Sequence, residues 1–147
     1  MSKYKFDKKD IILLALSAAS SSDQEYDSVQ VQKLLFLIDK KIGNQIGGPY
    51  FHFIPYNYGP FDKEIYSKIA ELSTDTQVSI NKNRDITYKL TAKGKENGDK
   101  LMQVLSKEIQ TFIKNLNTFV TELSFSDLIA AIYKEYPEMR KNSIFFG

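Results

Sequence analysis

Apolar positions recur three or four residues apart along most of the chain and alternate in only a few short stretches. The pattern predicts a mainly α-helical protein with a small β-hairpin. A first helix is expected from about Asp7 to Ala19, with Ile11, Leu14, Ala15 and Ala18 on one face and the polar run from Ser20 to Asp23 ending it. A second begins near Asp27 or Ser28, either of which can cap it, and carries Val31, Leu34, Leu35 and Ile38 at helical spacing. Phe36 and Leu37 make this helix apolar nearly all round. A helix of that kind belongs in the middle of a core.

Gly43, Gly47, Gly48 and Pro49 mark a turn, after which Tyr50 to Ile54 reads as a short strand with Phe51 and Phe53 on one face. Tyr58-Gly59-Pro60 is the sharpest punctuation in the chain. Proline suits the first position of a helix, so a third helix is expected from there to about Leu72. Its inner face would be Phe61, Ile65, Ile69 and Leu72, with Asp62 and Glu64 in the dipole-favoured first turn. Gln77 to Asn81 and Asp85 to Leu90 read as a hairpin around Lys82, Asn83 and Arg84, which in this position is a wing.

Thr91 can cap a fourth helix. Beyond Gly94 and Gly98, the apolar positions Leu101, Leu105, Ile109, Phe112, Leu116, Val120 and Leu123 keep helical spacing. Taken as one helix from about Ala92 to Leu123, the segment would be about 45 Å long. It must pack on the core, break, or meet a second subunit. Ser124 or Ser126 can cap a last helix bearing Leu128, Ile129, Ile132 and Tyr133 and ending before Pro137, and the apolar tail Ile144, Phe145, Phe146 is expected to dock. The fold class is thus mainly α with a small β-hairpin, as one domain over 1–147. A winged-helix-like core spans about 7–100, and the C-terminal helices of about 92–136 extend it.

Composition narrows the chemistry. Without a cysteine, the 147 residues offer no disulfide, no thiolate zinc site and no thiol nucleophile. Lys3, Lys5, Lys8 and Lys9 before the apolar run Ile11 to Ala19 imitate a secretory signal, but Asp7 and Asp10 interrupt the basic stretch and a core-facing helix explains the same residues. No segment reaches the roughly 20 apolar residues of a membrane span, so a cytoplasmic protein is expected. His52 is the sole histidine, and Asp62 and Glu64, two apart, diverge on a helix. No metal, cofactor or catalytic residue is expected, and neither of the common glycine-rich phosphate-binding motifs occurs.

Two kinds of partner remain. The net charge of +2 announces no polyanion, so any DNA surface must be local. Lys82, Arg84, Lys89 and Lys93 on and after the wing are the candidates for phosphate contacts, against the plainer reading of a solvated hairpin. The third helix speaks against DNA, since it offers acids and no Arg, Asn or Gln between Phe61 and Leu72. For a protein partner the candidates are Tyr50, Phe53, Tyr56, Tyr58 and Tyr66 around the Gly-Pro turn, residues that otherwise serve as core. A homodimer would use Ile109, Phe112, Leu116 and Val120.

Three stretches carry a resemblance: Val31 to Leu37 (VQKLLFL), Pro55 to Tyr66 (PYNYGPFDKEIY) and Tyr88 to Gly94 (YKLTAKG). The first two resemble the Panacea domain of SocA-like antitoxins and its YwgA-like relatives, and the third resembles the strand-to-helix exit of winged-helix regulators. Tyr136-Pro137-Glu138 and Asn142-Ser143 are similar to the end of the YwgA-type proteins. The resemblance implies a helical fold with a wing and a non-catalytic, antitoxin-like role with a protein partner, such as a toxin. It brings no catalytic residues, and the long C-terminal helical region departs from the shorter family core.

Overall fold

The computed structural model describes residues 3–145, so Phe146 of the apolar tail lies outside the described residues. Helix α1 (Lys8–Ser17) starts where the Asp7 side chain accepts from the Asp10 backbone N–H while Asp10 answers to Asp7, a reciprocal cap. Every residue from Ile11 to Ser17 is buried, because the three helices that follow it in the chain all pack around this short helix. Strand β1 (Tyr26–Asp27) then leads into α2 (Ser28–Ile42), capped by Asp27 and Gln30 in the same reciprocal way. Burial is continuous from Val31 to Asp39, as the all-round apolar pattern predicts for a central helix.

A 3-10 turn over Gly43–Gln45 follows, and the chain crosses a cis Gly48-Pro49 bond into an extended segment. Tyr50 to Phe53 is not a strand. The strands are β2 (Ile54–Tyr56) and β3 (Gly59–Phe61), an antiparallel pair with Ile54 opposite Phe61 and Tyr56 opposite Gly59. Pro60 therefore sits in a strand, and α3 (Glu64–Thr74) starts later, with Ile65, Ile69 and Leu72 buried as its inner face. Gly59 explains the shift: its φ of 100° closes the turn in a region open to glycine and strained for other residues. Phe61 is left outside the helix.

Strands β4 (Val78–Asn81) and β5 (Thr87–Leu90) form the expected hairpin, and β1 pairs with the other side of β5, Tyr26 opposite Tyr88. The sheet order is β1-β5-β4, antiparallel throughout. Thr91 caps α4 (Ala92–Gln103), as read from the sequence. The long periodic segment breaks at Val104 to Ser106, where the Ser106 hydroxyl accepts from the Ile109 N–H and starts α5 (Lys107–Glu122). The apolar period runs through the break because both helices line one core, α4 against α1 and α5 against α2. Ser124 caps α6 (Phe125–Glu135), and a 3-10 turn over Pro137–Arg140 closes the helical part. No helix among the described residues is long and apolar enough to cross a membrane.

Candidate functional site

The Ile54–Phe61 hairpin leaves large aromatic side chains in solvent while its backbone is held from several sides. Underneath, Lys33 of α2 donates from Nζ to the Pro60 carbonyl at 3.1 Å, and Gln32 exchanges two hydrogen bonds with the Asp62 backbone at 2.9 Å each. From the C-terminal side the tail closes over the turn. The Ile144 N–H donates to the Asn57 carbonyl at 3.0 Å, Asn142 Nδ2 donates to the Pro55 carbonyl at 3.2 Å, and the Tyr133 hydroxyl bonds Ser143 Oγ at 2.7 Å. Phe145 packs edge-on to Phe125, which in turn meets Tyr58.

The segment leading into the hairpin has no ladder partner, so its N–H groups go to carboxylates instead. Asp39, nine per cent exposed on α2, accepts from Tyr50 N–H at 2.8 and 3.0 Å and from Phe51 N–H at 2.8 Å. Burial lifts its carboxyl above the usual carboxylate range, against the pull of those two N–H groups. Asp62 accepts from His52 N–H and, two residues on, from Glu64 N–H at the start of α3. Asp39→Ala orphans two part-buried N–H groups. It is expected to cost about 2–4 kcal/mol in urea unfolding, a few times a typical surface substitution.

The tyrosines and phenylalanine named from sequence fall into two sets. Tyr56 and Tyr58 are exposed, with Ile54 beside them, whereas Tyr50, Phe53 and Tyr66 are half-buried against the core. Tyr56 stacks on Phe61 at 4.8 Å, and Phe61 meets Tyr66 at 5.8 Å. Together with Val29, Gly59 and Lys33 they line a pocket of about 260 Å³ between hairpin and α2. Larger clefts of about 740 and 610 Å³ run along α4, and the Lys95–Asp99 ion pair lines both.

Lys33 is the residue that sequence reading passed over. Only three per cent exposed, it has the Pro60 carbonyl as its acceptor, and among the described residues no carboxylate reaches ion-pair distance of its Nζ. Burial pushes its ammonium down to about 7, with Asp27 pulling the other way. The available signal was a charged residue inside a helix apolar on every side, where no solvated face exists for it.

The DNA-contact candidates are divided. Lys82 and Arg84 stand exposed at the β4–β5 tip, but Lys89 pairs with Asp23 at 3.2 Å and Lys93 with Asp75 at 3.4 Å. The N-terminal lysines are also engaged: Lys8 binds Glu64, and Lys9 lies 3.6 Å from Glu71. Of the dimer candidates, Leu116 and Val120 are used by the chain's own core. Ile109 is half-buried and Phe112 is exposed, as is Phe119, one heptad on and unremarked in the sequence. No group of three or more metal-ligating side chains occurs among the described residues.

A small, mainly helical domain whose central helix carries an aromatic hairpin and its pocket is the class this architecture defines. The chain belongs to the family described as Antitoxin SocA-like, Panacea domain, whose model matches residues 31–137. The match takes in the VQKLLFL helix, the YGP hairpin and the YKLTAKG exit, the motifs that carried the resemblance. No curated protein and no solved structure matches the chain.

Proposed function

We propose that the protein is a non-catalytic, antitoxin-like regulatory module that binds a protein partner through the exposed face of the Ile54–Phe61 hairpin. The carrying observation is that Ile54 and Tyr56, each 47% exposed, and Tyr58 stand in solvent on a backbone fixed by α2 and by the tail. Contiguous exposed aromatics on a rigid support suit an interface, since little entropy is lost on docking. The antitoxin description of the family supports a toxin-like protein as the partner, and a cytoplasmic setting fits a chain without cysteine. We read α1 to α4 with the β1-β5-β4 sheet as a winged-helix-like core within one domain, extended by α5 and α6. A homodimer would rest on Phe112 and Phe119, the exposed apolar residues of α5.

The test begins with purification of the tagged chain from its host and identification of what accompanies it. Titrating that protein against the wild type and the Tyr56→Ala/Tyr58→Ala pair should show binding weakened at least about tenfold, as for interface aromatics generally. Equal affinity removes the hairpin from the interface. Tight, sequence-selective DNA binding near physiological salt in a mobility-shift assay would overturn the reading as a complete account.

A further inference from the structure

Beneath Tyr56, Lys33 lines a pocket walled by rings, and among the described residues no carboxylate lies at ion-pair distance from it. Lys33 carries three N–H donors, of which the Pro60 carbonyl takes one, and its methylene stem runs beneath Gly59, where an added Cβ would lie 3.6 Å from Cε and 3.8 Å from Nζ. A lysine buried in this way is ordinarily paired. Here the stem is packed, the residue lines a pocket of about 260 Å³, and Asp27 at the cap of its own helix is the charge that opposes the effect of its burial. The volume admits one side chain, not a folded element. The walls continue past the mouth onto Tyr58 and Phe125, so an occupant has apolar surface to lie on beyond the pocket.

We propose that this pocket receives an aspartate or glutamate side chain from a protein segment lying across the hairpin, with the Lys33 ammonium as its counter-ion. The inference rests on the hairpin being a partner surface and adds the chemistry that this partner must present: an acid flanked by apolar residues. The carboxylate accepts the two N–H groups of Lys33 that Pro60 leaves free, and the aromatic walls exclude water from the pair. Charge complementarity chooses the occupant. A carboxylate stabilises the protonated Lys33 that burial disfavours, whereas a basic or purely apolar side chain in the same place would not.

Selection from a randomised peptide library displayed within a loop, so that no chain end is free, tests this. Binders to the wild-type protein should share one Asp or Glu between apolar residues, and Lys33→Met should not enrich it. For a selected peptide, replacing that Glu by Gln should weaken binding to the unaltered wild-type protein on the order of tenfold or more, a readout independent of whether the variant folds. Binders without a shared acid, or equal enrichment on Lys33→Met, overturn the carboxylate. If those binders still depend on Tyr56 and Tyr58, the partner-surface reading stands alone. If only a second library with free C-termini yields binders, a chain-terminal carboxylate displaces the side chain. A library that yields no binder to either protein overturns the pocket altogether, whereas failure of the hairpin reading shows separately, as a host partner indifferent to Tyr56→Ala/Tyr58→Ala.

Discussion

Gly94→Ala is expected to destabilise the protein by about 3 kcal/mol or more, read as a lower urea midpoint with the slope unchanged. The sign makes this prediction sharp. Helix propensity alone says that alanine in place of glycine inside a helix stabilises by about 1 kcal/mol. At Gly94 the added Cβ would fall 2.0 Å from the Gln77 carbonyl oxygen and 2.9 Å from its carbon, backbone atoms with no room to yield. That oxygen is already bound by the Thr91 N–H at 3.1 Å, which ties the α3–β4 connection to the start of α4. One turn on, a Cβ at Gly98 would meet the Leu13 carbonyl oxygen and Ser17 Cβ, each at 2.6 Å. The two glycines thus form the seam along which α4 closes on the α3–β4 connection and on α1. As a control on the same helix, Asn97→Ala would instead remove the Asn97–Gln77 hydrogen bond of 2.7 Å, a loss of about 1 kcal/mol. Gly94→Ala that is neutral or stabilising would show that α4 can slide, and that the close approach is not required.

These glycines also show where the sequence was silent. In a helical pattern Gly94 and Gly98 read as weak points, since nothing local reveals that another backbone needs the space. The central helix was legible because its cause is local: the apolar run from Leu34 to Ile38, with Val31 a turn earlier, can only be buried. Caps at Asp27, Thr91 and Ser124 were legible for the same reason, each being a side chain that bonds an N–H three residues on.

What failed was set by distant partners. Tyr50 to Phe53 alternates like a strand, but its N–H groups are claimed by Asp39 and Asp62. Pro60 has the signature of a helix start, yet the Gly59 turn folds it back onto Pro55 as a strand. The apolar period across Val104 to Ser106 left a break as only one of three outcomes, because two helices on one core show the same spacing as one long helix. Within the site, Tyr56 and Tyr58 were separable from Tyr50, Phe53 and Tyr66 only once the hairpin was placed. Which tyrosine is core depends on what packs over it.

Lys33 supplies the second large effect, a stability that rises with pH. Burial holds its folded-state value near 7, with only Asp27 opposing, whereas an unfolded lysine titrates at the ordinary 10.5. Between those values the unfolded chain binds more protons than the folded one, so unfolding free energy increases as pH climbs through the window. The gain from pH 7 to pH 9 is expected to be about 2 kcal/mol, close to one proton over two pH units less the fraction that the folded state still binds near pH 7. Tyr26, pushed up to about 12 by burial against the pull of Asn117, stays protonated in both states until pH nears 10, so it does not mask the rise. Lys33→Met removes the titrating group and leaves the Pro60 carbonyl without its donor. Its urea unfolding should therefore lack the rise, and the wild type should gain about 2 kcal/mol on the variant between pH 7 and pH 9. Parallel curves for the two proteins would mean that Lys33 keeps an ordinary ammonium, already paired or hydrated, and the cation held ready in the pocket would be lost as a premise.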